Sequence, residues 1–296
     1  MLQETEGLSS QEAAEKLARE AGMTIPAESR HADAAGQRRR RVRDLLEAAA
    51  AWFQARLRSG AGEGARLYLN SRGLPPSEHA RFRLGFASAS RTGLRDHLVS
   101  AGAHPAELIE AGLLVSPEDG SVPYDRFRDR IMFPIADERG LVSFGGRALN
   151  PGARAKYLNG PETPVFSKSR TLYGLSEARR LLRPPGESTL VVVEGYFDVI
   201  ACQRAGIAAV APMGTALTAQ QMELLWRQHG EPTLAFDGDD AGRRAEARAL
   251  DRALPLLKPG RSFRFVRLPG GKDPDDLFRE QGSEALRRQL AASRPW

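Results

Sequence analysis

Acidic side chains crowd two places in this sequence where an apolar run gives out. Leu234 to Gly242 reads LAFDGDDAG, with three carboxylates in four residues, and some 40 residues earlier TLVVV ends in Glu194-Gly195. Carboxylates at that density repel one another unless a cation neutralises them. Hard oxygen donors of this kind suit Mg²⁺ or Mn²⁺. Asp237 and Asp239, two apart in extended chain, project to the same side. Gly195 and Gly238 leave room beside them for an ion or a phosphate. Magnesium keeps several waters and bridges one or two carboxylates to substrate phosphates. The pattern therefore reads as a seat for metals that handle a phosphodiester or a triphosphate. A further acidic group, Asp273-Pro274-Asp275-Asp276, follows the run FRFVRL. Asp273 and Asp275 can line the same mouth, or an Asp here, Asp275 sooner than Asp273, can simply cap a helix. An EG pair alone says almost nothing, and DGDDAG alone can be a turn plus a cap. The signal lies in the combination, with acids closing two strands of one α/β unit in order.

Those acids need strands that end together. TLVVV (189–193), IAAVA (207–211), TLAF (233–236) and FRFVRL (263–268) read as four strands. Helical patterns over 196–206, 218–229 and 240–257 separate them, and another covers 274–293. The continuous β-branched run of the first is that of a strand buried on both faces. Strands alternating with helices predict a mostly parallel sheet with right-handed crossovers, whose ligands sit beyond the carboxyl ends of the strands.

Upstream the texture differs. Residues 8–22 form a capped helix pattern, 26–37 read as a polar linker, and RRRRVRDLLEAAAAWFQARL (38–57) reads as a longer amphipathic helix. The Arg38–Arg41 run can bind nucleic acid or simply be a solvated helix start. GAGEG (60–64) breaks the pattern, and 65–120 read as short helices joined by Gly and Pro. Residues 124–149 show two β-type runs around the turn Glu138-Arg139-Gly140. The irregular stretch 154–175 holds two lysines and three aromatics, and a loop of that length inside a domain is functional or disordered.

The chain has 296 residues and a net charge of +6, room for about two domains. Its excess positive charge sits in one segment, with 12 Lys/Arg against 6 Asp/Glu over 121–185. Such a segment attracts phosphate backbones, although solvated arginines give the same count. A single cysteine, Cys202, excludes an internal disulfide and a cysteine-based zinc site. No apolar run approaches the roughly 20 residues that span a bilayer, and the polar N-terminus is no secretory signal. A cytoplasmic location without membrane contact is the expectation.

Together, VVVEGYFDVIA, APMGTALT and LAFDGDDAGRRAEARA resemble the E-G…D-x-D pattern of Toprim domains. Upstream, YLNSRGL, ARFRLGFA, RFRDRIMFPIADERG, SFGGRAL and AKYLNGPETPVFSKSRTLYGL resemble the basic N-terminal part of the bacterial DnaG-type primase core, as RFVRLPGGKDPDDLF does after the fourth strand. GLVSFGGR is one residue shorter than the family's run, which can shift a strand register. The resemblance implies an α/β fold, an α+β basic subdomain joined to a Toprim domain. The divisions expected are 1–43 (helix and linker after a zinc-binding module), 44–186 (basic subdomain), 187–271 (Toprim) and 272–296 (start of a helical subdomain). The zinc-binding module and the helicase-binding domain are expected to be missing.

The resemblance further implies DNA-templated synthesis of RNA primers. Glu194 is then the acidic catalytic residue, Asp237 and Asp239 are the Mg²⁺ ligands, and Asp198, Asp273 and Asp275 are further members of the acidic site. Arg81, Arg147, Lys156 and Lys168 match basic positions that contact template, nucleotide or nascent RNA. Mg²⁺ or Mn²⁺ is the implied cofactor. Single-stranded DNA, ribonucleoside triphosphates, nascent RNA and, for a full-length protein, a replicative helicase are the implied partners. Two metals about 3.5–4 Å apart stabilise the attacking and leaving oxygens of such a transfer, with Glu194 binding metal or taking the 3′-hydroxyl proton. Tyr157 and Phe166 can stack on bases or simply pack. A Toprim nuclease or topoisomerase and a non-catalytic DNA-binding fragment are the alternatives. A Toprim nuclease would lack the GGR, KYLN and LYGL blocks, a topoisomerase would need a nucleophilic tyrosine in a segment that none of the five tyrosines here resembles, and a binding fragment would hold DNA without extending a primer.

Overall fold

The computed structural model describes residues 27–182, 188–213, 216–236 and 240–295. The helix expected over 8–22 and the pair Asp237 and Asp239 lie outside the described residues.

Helix α1 (Ala27–Arg58) is longer than the sequence predicts, because residues 27–37 are helical rather than a linker. No proline interrupts 27–58, and the single Gly36 costs a helix only about 1 kcal/mol. The arginines beyond it find acidic partners. Arg38 pairs with Glu110, Arg41 with Glu107 at 2.8 Å, and Arg43 with Asp137 at 2.7 Å. Val42, Leu45, Leu46, Ala49, Ala50, Phe53 and Leu57 are buried along one stripe, at the spacing of a helix face turned to a core.

Short helices α2 (Glu63–Ser71), α3 (Pro76–Arg81), α4 (Gly93–Ser100) and α5 (Pro105–Glu110) follow as expected. Two pieces of strand among them were not foreseen. They are β1 (Gly85–Ala87) and β2 (Leu114–Val115), the latter paired with β3 (Tyr124–Asp125). The predicted hairpin is β4 (Arg130–Asp137) and β5 (Gly140–Ala148), extended by β6 (Tyr157–Asn159) into an antiparallel sheet ordered β1-β4-β5-β6. Its register shifts between Ile135 and Ala136, where Val142 has no residue opposite. β6 and the bridge between Thr163 and Phe166 give order to the stretch read as irregular. Phe166 is 2% exposed, so it cannot stack on a base. Burying such a ring is worth about 1.5–3 kcal/mol, which draws it out of the loop into the core.

The second sheet is built from β7 (Leu172–Tyr173), β8 (Leu190–Val192), β9 (Ala208–Pro212), β10 (Thr233–Phe236), β11 (Arg264–Arg267) and β12 (Arg294–Pro295). Between and after them come α6 (Leu175–Leu181), α7 (Tyr196–Arg204), α8 (Ala219–Trp226), α9 (Asp240–Ala253) and α10 (Pro274–Ala291). Strand order is β12-β11-β10-β8-β9-β7. The four expected strands form the parallel centre, and β7 and β12 run antiparallel at the edges. The fold is therefore α/β with a mostly parallel sheet, as anticipated. The two sheets share one core. Phe133 of β4 stacks on Tyr196 with centroids 4.7 Å apart and meets Phe197 edge-on at 5.3 Å.

Candidate functional site

Strands β8 and β10 are parallel neighbours, with Val191 opposite Thr233 and Val192 opposite Leu234. They run out at the same end of the sheet. Glu194 follows β8 there and is exposed, and β10, the adjacent strand, ends at Phe236. Glu194 stands at a cavity of about 320 Å³, walled by Val193, Leu217, Leu234 and Ala235, with Arg248 among its lining residues.

Gly195 is the N-cap of α7. Its N–H donates to Asp198 Oδ2 at 2.9 Å, and a Cβ on Gly195 would stand 2.7 Å from that oxygen. The room that the sequence reading gave to an ion is thus taken by the carboxylate of Asp198. Oδ1 of Asp198 accepts from the N–H of Asp275 at 3.3 Å. The start of α7 is thereby tied to the start of α10.

Asp273 is the residue that caps α10, accepting from Asp276 N at 2.6 Å. Burial raises its carboxyl above the usual range despite that hydrogen bond, and the neighbouring charges of Asp276 and Asp275 push the same way. Asp275 lies inside the first turn, 3% exposed, and accepts from Arg72 Nη1 at 2.6 Å and Arg279 Nε at 3.2 Å. Asp276 pairs with Arg279. Carboxylate oxygens of Asp273, Asp275 and Asp276 lie within 4.8 Å of one another. An all-oxygen set of this kind suits a hard divalent cation, but arginines already hold two of its three members.

Arg72 joins the acids to a basic ridge. Burial works against its charge, but the hydrogen bonds to Asp275 and Tyr68 outweigh that and raise its pKa further. Its Nε donates to Tyr68 Oη at 2.9 Å, and its guanidinium lies 5.2 Å from the Phe197 ring. On the same tyrosine lies Arg147, 4.2 Å from the Tyr68 ring and 6.0 Å from that of Tyr157. Its buried Nε has no hydrogen-bond partner among the described residues. Lys156 is exposed, with Nζ 5.9 Å from the Tyr157 ring. Tyr157 is 37% exposed, and partial burial raises its phenol against the pull of Arg147.

The structure thus brings Arg147 and Lys156 together. Lys168 belongs to a separately pinned stretch, its N–H donating to Glu162 Oε1 at 2.8 Å and its C=O accepting from Gln221 at 3.0 Å. Arg81 is engaged with Glu78, Glu177 and the carbonyl of Gln203, where it links α3 to α6 and α7. Tyr68 and Arg72 were missed by the sequence reading. Their i, i+4 spacing at the end of α2 is the one sequence cue that they share a face.

The GGR block gains a physical reason. A Cβ on Gly145 would stand 2.1 Å from Tyr196 Oη. Its absence lets Tyr196 donate to Asn159 Oδ1 at 2.5 Å, while Asn159 Nδ2 donates to Met213 O at 3.1 Å. The basic ridge and the acidic sheet edge are therefore hydrogen-bonded to each other.

Both halves of this arrangement match known families. Residues 52–179 match the DNA primase catalytic core, N-terminal domain, and 191–278 match a Toprim-like domain. The crystal structure of a DNA primase domain from Pseudomonas aeruginosa is 44% identical, with a TM-score of 0.80 over 86% of this chain and 79% of that one. The chain belongs to the DnaG primase family. The DNA primase of Pseudomonas aeruginosa is 44% identical to it over 287 residues, covering 94% of this chain and 42% of that protein. The chain spans less than half the length of this curated relative. A DnaG primase catalytic domain solved with single-stranded DNA is 41% identical, with a TM-score of 0.78 over 88% of this chain and 81% of that one. In this primase-family chain the Toprim domain and the acidic triad point to divalent-metal binding. Among the described residues, no helix is long and apolar enough to cross a membrane.

Proposed function

We propose that this chain is the RNA-polymerising core of a primase, joining ribonucleotides on a single-stranded DNA template with Mg²⁺ or Mn²⁺. One observation carries the reading. An exposed glutamate at the end of β8, beside the strand that leads to Asp237 and Asp239, is coupled to a basic aromatic ridge through Asp198, Asp275, Arg72 and Tyr68. Nucleotidyl transfer needs an acidic end and a basic end held at a fixed separation.

In this reading Asp237, Asp239 and Glu194 would hold the divalent cations, which when bound offset charge on the attacking and leaving oxygens. Glu194, if not a ligand, takes the proton of the 3′-hydroxyl. Arg147 and Lys156 balance the charge of triphosphate and backbone. The exposed face of Tyr157 accepts a base by stacking. Asp198 and Asp275 touch no substrate but fix the turn that carries Glu194. Template, ribonucleoside triphosphates and nascent RNA are the partners. Phosphate contacts make template binding strongly salt-dependent.

The test is extension of an RNA primer annealed to a DNA template, set beside synthesis without a primer. Wild type extends the annealed primer in Mg²⁺, and Asp237→Ala loses extension while its circular dichroism is unchanged. Normal extension by the variant, or DNA cleavage without incorporation, rejects the reading.

A further inference from the structure

Arg130 opens β4, opposite Ala148 of β5. Its guanidinium donates to main-chain carbonyls, reaching Gly146 O at 3.1 Å, Ala155 O at 3.0 Å and Lys156 O at 3.4 Å. Burial lowers its pKa from the ordinary arginine value, as for a charge drawn partly out of water to serve dipoles. Gly146 makes room for its stem. A Cβ there would stand 3.0 Å from Arg130 Cδ and 3.0 Å from Phe127 Cδ1. Residues 149–156 leave β5 and return as β6, fastened at their base by Leu149 N–H to Asp129 O at 3.1 Å and Ala148 N–H to Lys156 O at 2.9 Å. The Arg130 fork spans the gap between β5 and the returning chain, gripping the two residues just before Tyr157. A planar guanidinium can address several carbonyls at once, whereas an ammonium is a point charge.

We propose that Arg130 is a positioning residue. It fixes the Lys156–Tyr157 end of the loop against Arg147, and so sets the affinity of the ridge for phosphate-bearing ligands without touching them. The inference rests on the primer-synthesis reading, and it names a residue that acts behind the contact surface.

The experiment measures extension of an annealed RNA primer by wild type, Arg130→Met, Arg130→Lys, Lys156→Ala and the Arg130→Met/Lys156→Ala double variant. In parallel, binding of a labelled single-stranded oligodeoxynucleotide is followed by anisotropy at low salt. Arg130→Met should raise the nucleotide KM or the oligonucleotide Kd by on the order of tenfold, as expected for a sub-ångström misplacement, with kcat within about twofold. The loss caused by Lys156→Ala should largely vanish in the Arg130→Met background, because residues acting as one unit are not additive. Unchanged KM and Kd, or losses that simply multiply, overturn the proposal. Should Arg130→Met melt below the assay temperature, Arg130→Lys carries the test. It keeps stem and charge but not the fork, so an unchanged KM and Kd in that variant overturn the proposal equally. A wild type that extends no primer refutes the functional reading instead, and oligonucleotide affinity alone then decides the role of Arg130.

Discussion

The acidic cluster divides into two halves that look alike in sequence and differ in physical state. Asp198 and Asp275 are 7% and 3% exposed and take hydrogen bonds from Gly195 N, Asp275 N, Arg72 and Arg279. Glu194, at the mouth of β8, is exposed. A carboxylate is kept buried only by close partners, and losing a partner is then expensive. Asp198 and Asp275 staple α7 to α10 and to the end of α2, while Glu194 stands open to solvent at the cavity beyond β8. Carboxylates crowded at a strand end need not all do the same work.

Substitutions should separate the halves. Asp275→Ala leaves Arg72 and Arg279 facing a void and should cost about 3–5 kcal/mol of stability, read as a lower denaturant midpoint. A loss under about 1 kcal/mol would break the distinction. Glu194→Gln should do the opposite. Stability should stay within about 0.5 kcal/mol of wild type, and primer extension should fall on the order of a hundredfold. Tyr196→Phe removes the hydrogen bond to Asn159 that joins ridge to acidic edge. It should cost about 1 kcal/mol and raise the nucleotide KM more than it lowers kcat.

The smallest effect is a control outside the cluster. Burial holds the His79 imidazole below its usual pKa, opposed by its hydrogen bond to Leu74 O. The unfolded chain therefore binds a proton near pH 6.5 that the folded chain refuses until lower pH. The stability this group contributes is present above about pH 6.5 and is lost as pH falls toward the folded value. Thermal midpoints between pH 7.5 and 5.5 should show that decline, and His79→Gln should flatten it. An unchanged slope would remove His79 from the account.

Much of the Toprim sheet was legible because its strands are short apolar runs whose neighbours are set by one rule of crossover handedness. Glu194 could be placed at a strand end for the same reason. What escaped depends on contacts between distant segments. Nothing local in Arg72 says that Asp275 will come to it, 203 residues away. Nothing in GGR says that its first glycine admits Tyr196 and its second admits Arg130. The capping role of Asp273 rather than Asp275 follows from where the helix starts, at Pro274. The helix over 27–37 was hidden because its polar residues lack a local apolar face; it is continuous with the amphipathic segment that follows it.

On the proposed function, Glu194, Asp237 and Asp239 serve one set of divalent ions. Mn²⁺ binding, followed by paramagnetic resonance in wild type, Glu194→Gln, Asp237→Asn and the double variant, tests it most directly. Convergence predicts that each single variant loses affinity and that the double loses little more than the worse single. Mn²⁺ affinity unchanged by either variant, or losses that add as if the two carboxylates were strangers, would contradict it.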